Sequence, residues 1–343
     1  MPKPLKATTS VTPIPVLSYY YIGFDTTSWN RAETDYPLLG RYASDNAEVM
    51  RQHVEWAKAA GINGFIVSWK STPSLNRRLD QLVQIADQEN FKLAIIYESL
   101  DGSLNPEPAA QVGVDLDYFV NRYAVNAAFR IFDKPMVIWF GTWKFSRDDI
   151  QGITQERRNQ LLVLASENNI DGYVRLANLV DGNAYSVNPE IYPGYPTQLI
   201  TMGNTIHQNG GIWIAPASPG FNARSAGVTT VVDRKNGQTL QTEMNAAMQS
   251  NPDAIGLISW NDFSDNSYIE PSQNYGNHYL KILSSIRYSP SLTISDFDSS
   301  LPGGTLDYLS LGRLAALGLL GILALIALIV VIWRSSHQSK EKD

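Results

Sequence analysis

Short apolar runs alternate with amphipathic stretches along this chain, and that rhythm sets the expected architecture. The runs Pro15–Ile22, Gly64–Trp69, Lys92–Glu98, Pro135–Phe140, Leu161–Ser166, Asn183–Val187, Gly211–Pro216 and Ala254–Trp260 read as strands. Several are apolar almost throughout, as expected when both faces of a parallel sheet are covered. Between them, Asp45–Ala60, Leu75–Glu89, Asp115–Phe129, Asn169–Val180, Thr197–Gln208, Leu240–Ser250 and Gly276–Ser285 read as helices. Asp45 is the expected cap of the first, with Glu48 three residues on and Gly61 as its stop. Leu75, Leu79, Leu82, Val83 and Ala86 make one stripe on the second. Leu161–Ser166 could also end a helix that starts near Gln155; the strand is preferred because Asn169–Val180 then follows it as a helix.

Eight strands alternating with helices over residues 16–288 predict an α/β fold, a (β/α)8 TIM barrel. A doubly wound sheet fits less well, because no glycine-rich turn follows the first strand. In such barrels the active site lies at the carboxyl ends of the strands. That rule gathers Tyr21 and Asp25, Trp69 and Lys70, Tyr97 and Glu98, Trp139 and Trp143, Glu167, Tyr185 with Asn188, and Asn222 with Arg224.

The last strand leads into Ser259–Pro271, which carries three carboxylates, Asp262, Asp265 and Glu270, beside Trp260, Phe263 and Tyr268. Two carboxyl groups a few ångströms apart are what glycoside hydrolysis needs, and aromatic faces are what sugar rings pack on. Any two of the three, Asp262, Asp265 and Glu270, could supply such a pair. Glu98 ends an otherwise apolar strand, where a carboxylate without a task is costly. It heads the substrate-binding candidates, with Trp69, Tyr97, Trp139, Tyr185, Asn261, Glu270 and Tyr21. Trp69 and Trp139 read equally well as core. Glu167 reads better as a cap or surface residue, and Lys70 and Arg224 as ion-pair partners. His53, His207 and His278 lie far apart in helical stretches without ligand spacing, so core or surface roles are expected. No metal or other cofactor is implied.

Composition narrows the class. The net charge is −6 with no basic stripe, which argues against a nucleic-acid partner. The absence of cysteine excludes disulfides, thiolate metal sites and a cysteine nucleophile. Leu314–Trp333 is uncharged and apolar, about the length that spans a bilayer as a helix. The expected order is an N-terminal extension (1–15), the barrel (16–288), a Ser/Pro/Gly-rich spacer (289–312), a transmembrane helix (313–334) and a short tail (335–343). Arg334, Lys340 and Lys342 against Arg313 favour the tail inside and the barrel outside the cytoplasm. Residues 1–16 hold no apolar core of signal-peptide length, so a signal outside these residues is expected, with a cytoplasmic barrel behind a tail anchor as the alternative.

A family resemblance joins these observations. Pro37-Leu38-Leu39-Gly40, Gly61 to Trp69, Ala94-Ile95-Ile96-Tyr97-Glu98 and Pro219-Gly220-Phe221 fall in the order seen in glycoside hydrolase family 99. The final motif of that family, Trp-Asn-Glu-Trp-x-Glu followed by Ile-Glu-Pro, resembles Trp260 to Asp265 and Ile269-Glu270-Pro271. Family 71, the α-1,3-glucanases, has Trp-Asn-Asp-Tyr-Gly-Glu there, which Asp262 matches. The likeness implies a barrel that cleaves α-linked mannans or glucans, with endo action and retention if family 99 is followed. It also implies roles. Asp262 would assist the nucleophile, either the neighbouring 2-hydroxyl of the sugar or water, Asp265 would protonate the leaving oxygen, and Glu98 would contact substrate. Asp265 departs from both families, which have glutamate there. A membrane-anchored glycoside hydrolase is thus the expectation, acting on a poly- or oligosaccharide. A non-catalytic carbohydrate-binding barrel is the alternative that the shortened acids suggest.

Overall fold

The computed structural model describes residues 13–30, 34–101, 103–185, 194–223 and 229–288. Eight parallel strands close into a barrel: β1 (Val16–Tyr21), β2 (Gly64–Trp69), β3 (Lys92–Glu98), β4 (Met136–Phe140), β5 (Leu162–Ala165), β6 (Gly182–Ala184), β7 (Ile212–Ala217) and β10 (Ala254–Leu257). β10 returns to β1, with Val16 opposite Ile255 and Ser18 opposite Leu257. A two-stranded antiparallel hairpin, β8 (Phe221–Asn222) and β9 (Val231–Val232), follows β7. Helices α1 (Ala47–Ala59), α2 (Pro73–Gln88), α3 (Ala109–Arg122), α4 (Arg147–Arg157), α5 (Ile170–Leu176), α6 (Tyr195–Gln208), α7 (Gln238–Gln249) and α8 (His278–Tyr288) belong to the outer layer. The expected barrel is therefore present.

Side chains alternate between two cores, as strand geometry requires. Leu17, Tyr19, Ile66, Ala94, Ile96, Ile138, Leu164 and Ile214 fill the barrel interior. Val16, Tyr20, Phe65, Val67, Leu93, Ile95, Val137 and Val163 pack outward with helix residues such as Met50, Leu79 and Leu116. Parity then fixes what reaches the mouth: two residues beyond Tyr19, Ile66 and Ile96 come Tyr21, Ser68 and Glu98.

Several expected boundaries move. α1 is capped by Asn46, whose side chain accepts the Glu48 and Val49 N–H groups, rather than by Asp45. α3 begins at Ala109, so Asp115 lies inside the helix and is buried. α4 was absent from the expected series; Ser146 and Asp149 form its capping box, and Ile150 and Ile153 are its buried apolar residues. The expected spacer, transmembrane helix and tail lie outside the described residues, as do most of the N-terminal extension, Asn188 and Arg224. Among the described residues, no helix is long and apolar enough to cross a membrane.

Candidate active site

The mouth of the barrel is built where β10 meets β1. Beyond Leu257 the chain turns sharply, and the Ile258–Ser259 peptide is cis. Trp260 N–H donates to the Tyr19 carbonyl at 2.7 Å, and the Asn261 side chain grips Tyr21, two residues further along β1, by both its backbone groups. Its Oδ1 accepts the Tyr21 N–H at 2.9 Å, and its Nδ2 donates to the Tyr21 carbonyl at 3.0 Å. Asp262 follows, with its N–H on Ser259 Oγ at 2.8 Å and its Oδ1 accepting the Asp265 N–H at 3.1 Å. The two acids are thus tied into one turn, Asp262 largely buried and Asp265 half-buried.

Neighbouring segments hold this turn in place. The Asn222 N–H of the β8–β9 hairpin donates to the Asp265 carbonyl at 2.8 Å. Arg234 donates to the carbonyls of Asn266 and Tyr268, both at 2.9 Å. Its guanidinium lies 4.4 to 4.8 Å from the ring centres of Tyr268, Tyr275 and Tyr279, in cation–π contact with all three. Asp35 accepts the Tyr268 hydroxyl at 2.6 Å, stapling the loop after β1 to the loop after β10.

Tyr21 shows which carboxylates converge. Burial pushes its phenol well above the ordinary tyrosine range, and the charges of Asp262, Glu98 and Asp265 push it further. One half-buried hydroxyl therefore stands among three acids supplied by β3 and the β10 loop. Ser68 Oγ donates to Glu98 Oε1 at 2.8 Å. Burial raises the Glu98 carboxyl above the usual range, while the Ser68 bond and the Lys70 charge pull it partly back. Lys70 itself pairs with Glu107 at 3.1 Å. Among the described residues, no group of three or more His, Asp or Glu is disposed to hold a metal ion.

The other expected contacts are corrected. Trp69, Tyr97, Trp139 and Tyr185 belong to the outer core. Trp69 Nε1 donates to Asn76 of α2 at 2.9 Å, and the Tyr97 hydroxyl to Asp115 of α3 at 3.0 Å. Trp139 packs against Phe145 at 4.9 Å, and Tyr185 meets Trp213 edge-on. All four have the opposite parity to Tyr21, Ser68 and Glu98, so their rings point away from the cleft. Trp260, Phe263 and Tyr268 are also buried, the last two stacked on each other at 4.0 Å, so none offers a free face to sugar. Glu270 is buried and bonded to His53 and Tyr42 rather than open to a ligand. Asp25 is exposed and occupied by Thr27 and Ser28, and Glu167 is buried against Thr142 and Arg175.

One aromatic residue is placed otherwise. Gly141, at φ +93°, turns the chain after β4, and the half-buried Trp143 then packs on the interior core, edge-on to Phe140 at 5.2 Å. Phe140 is the register partner of Glu98. Ser68, Tyr42 and Arg234 are the site neighbours that sequence reasoning missed, while His53, expected in a core or surface role, is buried beside Glu270. Ser68 had a signal: it is the polar residue in an otherwise apolar β2, which marks the inward parity.

A closed barrel with carboxylates at its carboxyl-terminal mouth defines the class of (β/α)8 enzymes. The comparisons give the family. The model of glycosyl hydrolase family 71 matches residues 36–284, well over half the chain, so the protein belongs to that family and is a glycoside hydrolase. Comparison with curated proteins returned no match. Among solved structures, the GH99 endo-alpha-mannosidase from Bacteroides thetaiotaomicron in complex with BIS-TRIS-Propane is similar, with a TM-score of 0.72. It is 18% identical over 80% of this chain and 97% of that one. A glycoside hydrolase-like protein is also similar, with a TM-score of 0.64 and 16% identity over 83% of this chain and 97% of that one. These likenesses establish the fold: a family 99-like barrel on a family 71 chain.

Proposed function

We propose that this barrel cleaves α-linked glucans or mannans within the chain, using Asp262 and Asp265 as its carboxylate pair. The observation that carries the reading is that one turn holds Asp262 and Asp265 together beside Tyr21, with Glu98 of β3 acting electrostatically on the same phenol. Asp265, the more exposed of the pair, donates a proton to the glycosidic oxygen as the bond to the anomeric carbon breaks. Asp262, whose Oδ1 accepts the Asp265 N–H, takes a proton from the nucleophile, water or the neighbouring 2-hydroxyl. Glu98, kept protonated to higher pH than an ordinary glutamate, offers a hydrogen bond to a sugar oxygen from the opposite wall.

The substrate is a poly- or oligosaccharide, and the apolar stretch Leu314–Trp333 anchors the barrel to a membrane with the tail inside. The test is release of reducing ends from a panel of α-glucans and α-mannans. Wild type releases them, and Asp265→Asn abolishes release without changing the circular dichroism spectrum. Unchanged turnover by that variant sinks the assignment. Saturable glycan binding without cleavage by the wild type returns the protein to the binding-barrel alternative.

A further inference from the structure

Behind the site runs a buried chain of hydrogen bonds that no substrate can touch. The Tyr20 hydroxyl lies 3.0 Å from His53 Nδ1, and His53 Nε2 lies 3.0 Å from Glu270 Oε1. The Tyr42 hydroxyl donates to Glu270 Oε2 at 2.8 Å and accepts from Asn261 Nδ2 at 3.2 Å. Asn261 in turn clamps both backbone groups of Tyr21 and directly precedes Asp262. His53 and Glu270 are fully buried side chains, and Trp260 lies 5.5 Å from the His53 ring.

The donors and acceptors close in one direction. Burial, then the Glu270 charge, pushes the Tyr20 and Tyr42 phenols well above the ordinary range, so both remain donors. With its proton on Nε2, His53 donates to Glu270 and accepts from Tyr20. Tyr42, with its O–H directed at Glu270, has only lone pairs left for Asn261. That requirement agrees with the Tyr21 backbone: the amino group of Asn261 serves both the Tyr42 hydroxyl and the Tyr21 carbonyl, and its Oδ1 takes the Tyr21 N–H. An apolar core would fill the same space, yet it would leave the second amino hydrogen of Asn261 without its acceptor and the amide held by the Tyr21 backbone alone.

We infer that Glu270, held by His53 and Tyr42, is a positioning residue that fixes Asn261 and so sets where Asp262 and Tyr21 stand relative to each other. The inference rests on the glycosidase reading above for its consequence in catalysis, though not for its geometry. Tyr42→Phe is the informative variant, because it removes one hydroxyl and keeps the ring that packs on Phe24 and Trp29. A misplacement of about 1 Å costs about a hundredfold in rate, so kcat falls roughly 10- to 100-fold while KM stays within about threefold. Glu270→Gln, which keeps an acceptor for Tyr42, retains more activity than Tyr42→Phe. Amide exchange, read by mass spectrometry on peptides covering 16–24 and 259–266, accelerates in Tyr42→Phe more than that of the other barrel-strand peptides, beyond the uniform rise that the lost hydrogen bond of about 1–3 kcal/mol produces. Unchanged kcat and exchange that rises only uniformly overturn the inference. If the wild type cleaves no glycan, the glycosidase reading fails, and the exchange result alone decides the positioning role.

Discussion

Trp69 and Trp143 make opposite predictions about what an aromatic side chain does at this barrel mouth. Trp69 is fully buried among Tyr97, Tyr118, Phe119 and Tyr123, and donates to Asn76. Emptying such a site by Trp→Ala costs about 3–5 kcal/mol, and the lost hydrogen bond adds about 1 kcal/mol. Trp69→Ala should therefore lower the unfolding free energy by about 4–6 kcal/mol, with KM of the folded fraction within about twofold of wild type. Should that variant not fold, Trp69→Phe keeps a ring and is expected to lose about 1–2 kcal/mol, again with KM unmoved. Trp143 is half-buried and lies over the interior core next to Phe140. Its replacement by alanine should cost less stability than Trp69→Ala and raise KM about fivefold, equivalent to losing about 1 kcal/mol of stacking. Urea titrations and reducing-end kinetics on the two variants give both numbers. The reasoning is refuted if Trp69→Phe raises KM tenfold at unchanged stability, since that would place its ring against the sugar.

Two further outcomes follow from charge and from sequence. Because the folded-state pKa of Glu98 is raised, the folded chain favours the protonated form, and that contribution is fully present below the ordinary glutamate range. It is lost as pH climbs through the raised value, so Glu98→Gln should gain melting temperature over wild type at pH 8 and little at pH 4; a difference independent of pH would contradict the burial of that acid. The full chain should sediment with membranes and resist alkaline carbonate extraction because of Leu314–Trp333, and recovery in the supernatant would remove the anchor from the proposal.

The barrel was legible in the sequence because its strands are covered on both sides and read as apolar runs between turns. The same property hid the direction of the side chains. In a run such as Leu93-Ala94-Ile95-Ile96-Tyr97 nothing marks which face is inside, so Tyr97 and Trp69 looked as near the cleft as Glu98. Parity could have been recovered from the two polar residues: Ser68 and Glu98 are bonded to each other across β2 and β3, which puts their neighbours on the other face. α4 escaped notice because its sequence, Arg147-Asp148-Asp149 through Glu156-Arg157, offers only Ile150 and Ile153 as apolar markers. Buried Arg157 supplies the rest of that face by reaching the Gly113 carbonyl and Asp117. Glu270 was misassigned for a different reason. A carboxylate in a polar loop looks accessible, and only the packing of Tyr42 and His53 around it, more than 200 positions away in sequence, shows otherwise.

Asn261 also couples two events in the life of the chain. Its bonds to Tyr21 span 240 positions, and they join the first barrel strand to the loop after the last one. At about 5–20 residues per second, a ribosome makes that intervening length in roughly 12–48 s. Until β10 is made, β1 can pair with β2 alone, which leaves an open edge of the kind that invites aggregation. The same closure that removes the edge delivers Asp262 and Asp265 to Tyr21. A nascent or truncated chain therefore lacks Asp262 and Asp265, the pair proposed above, for as long as it is without its last strand. Exposure to misfolding and readiness for catalysis end and begin at one step.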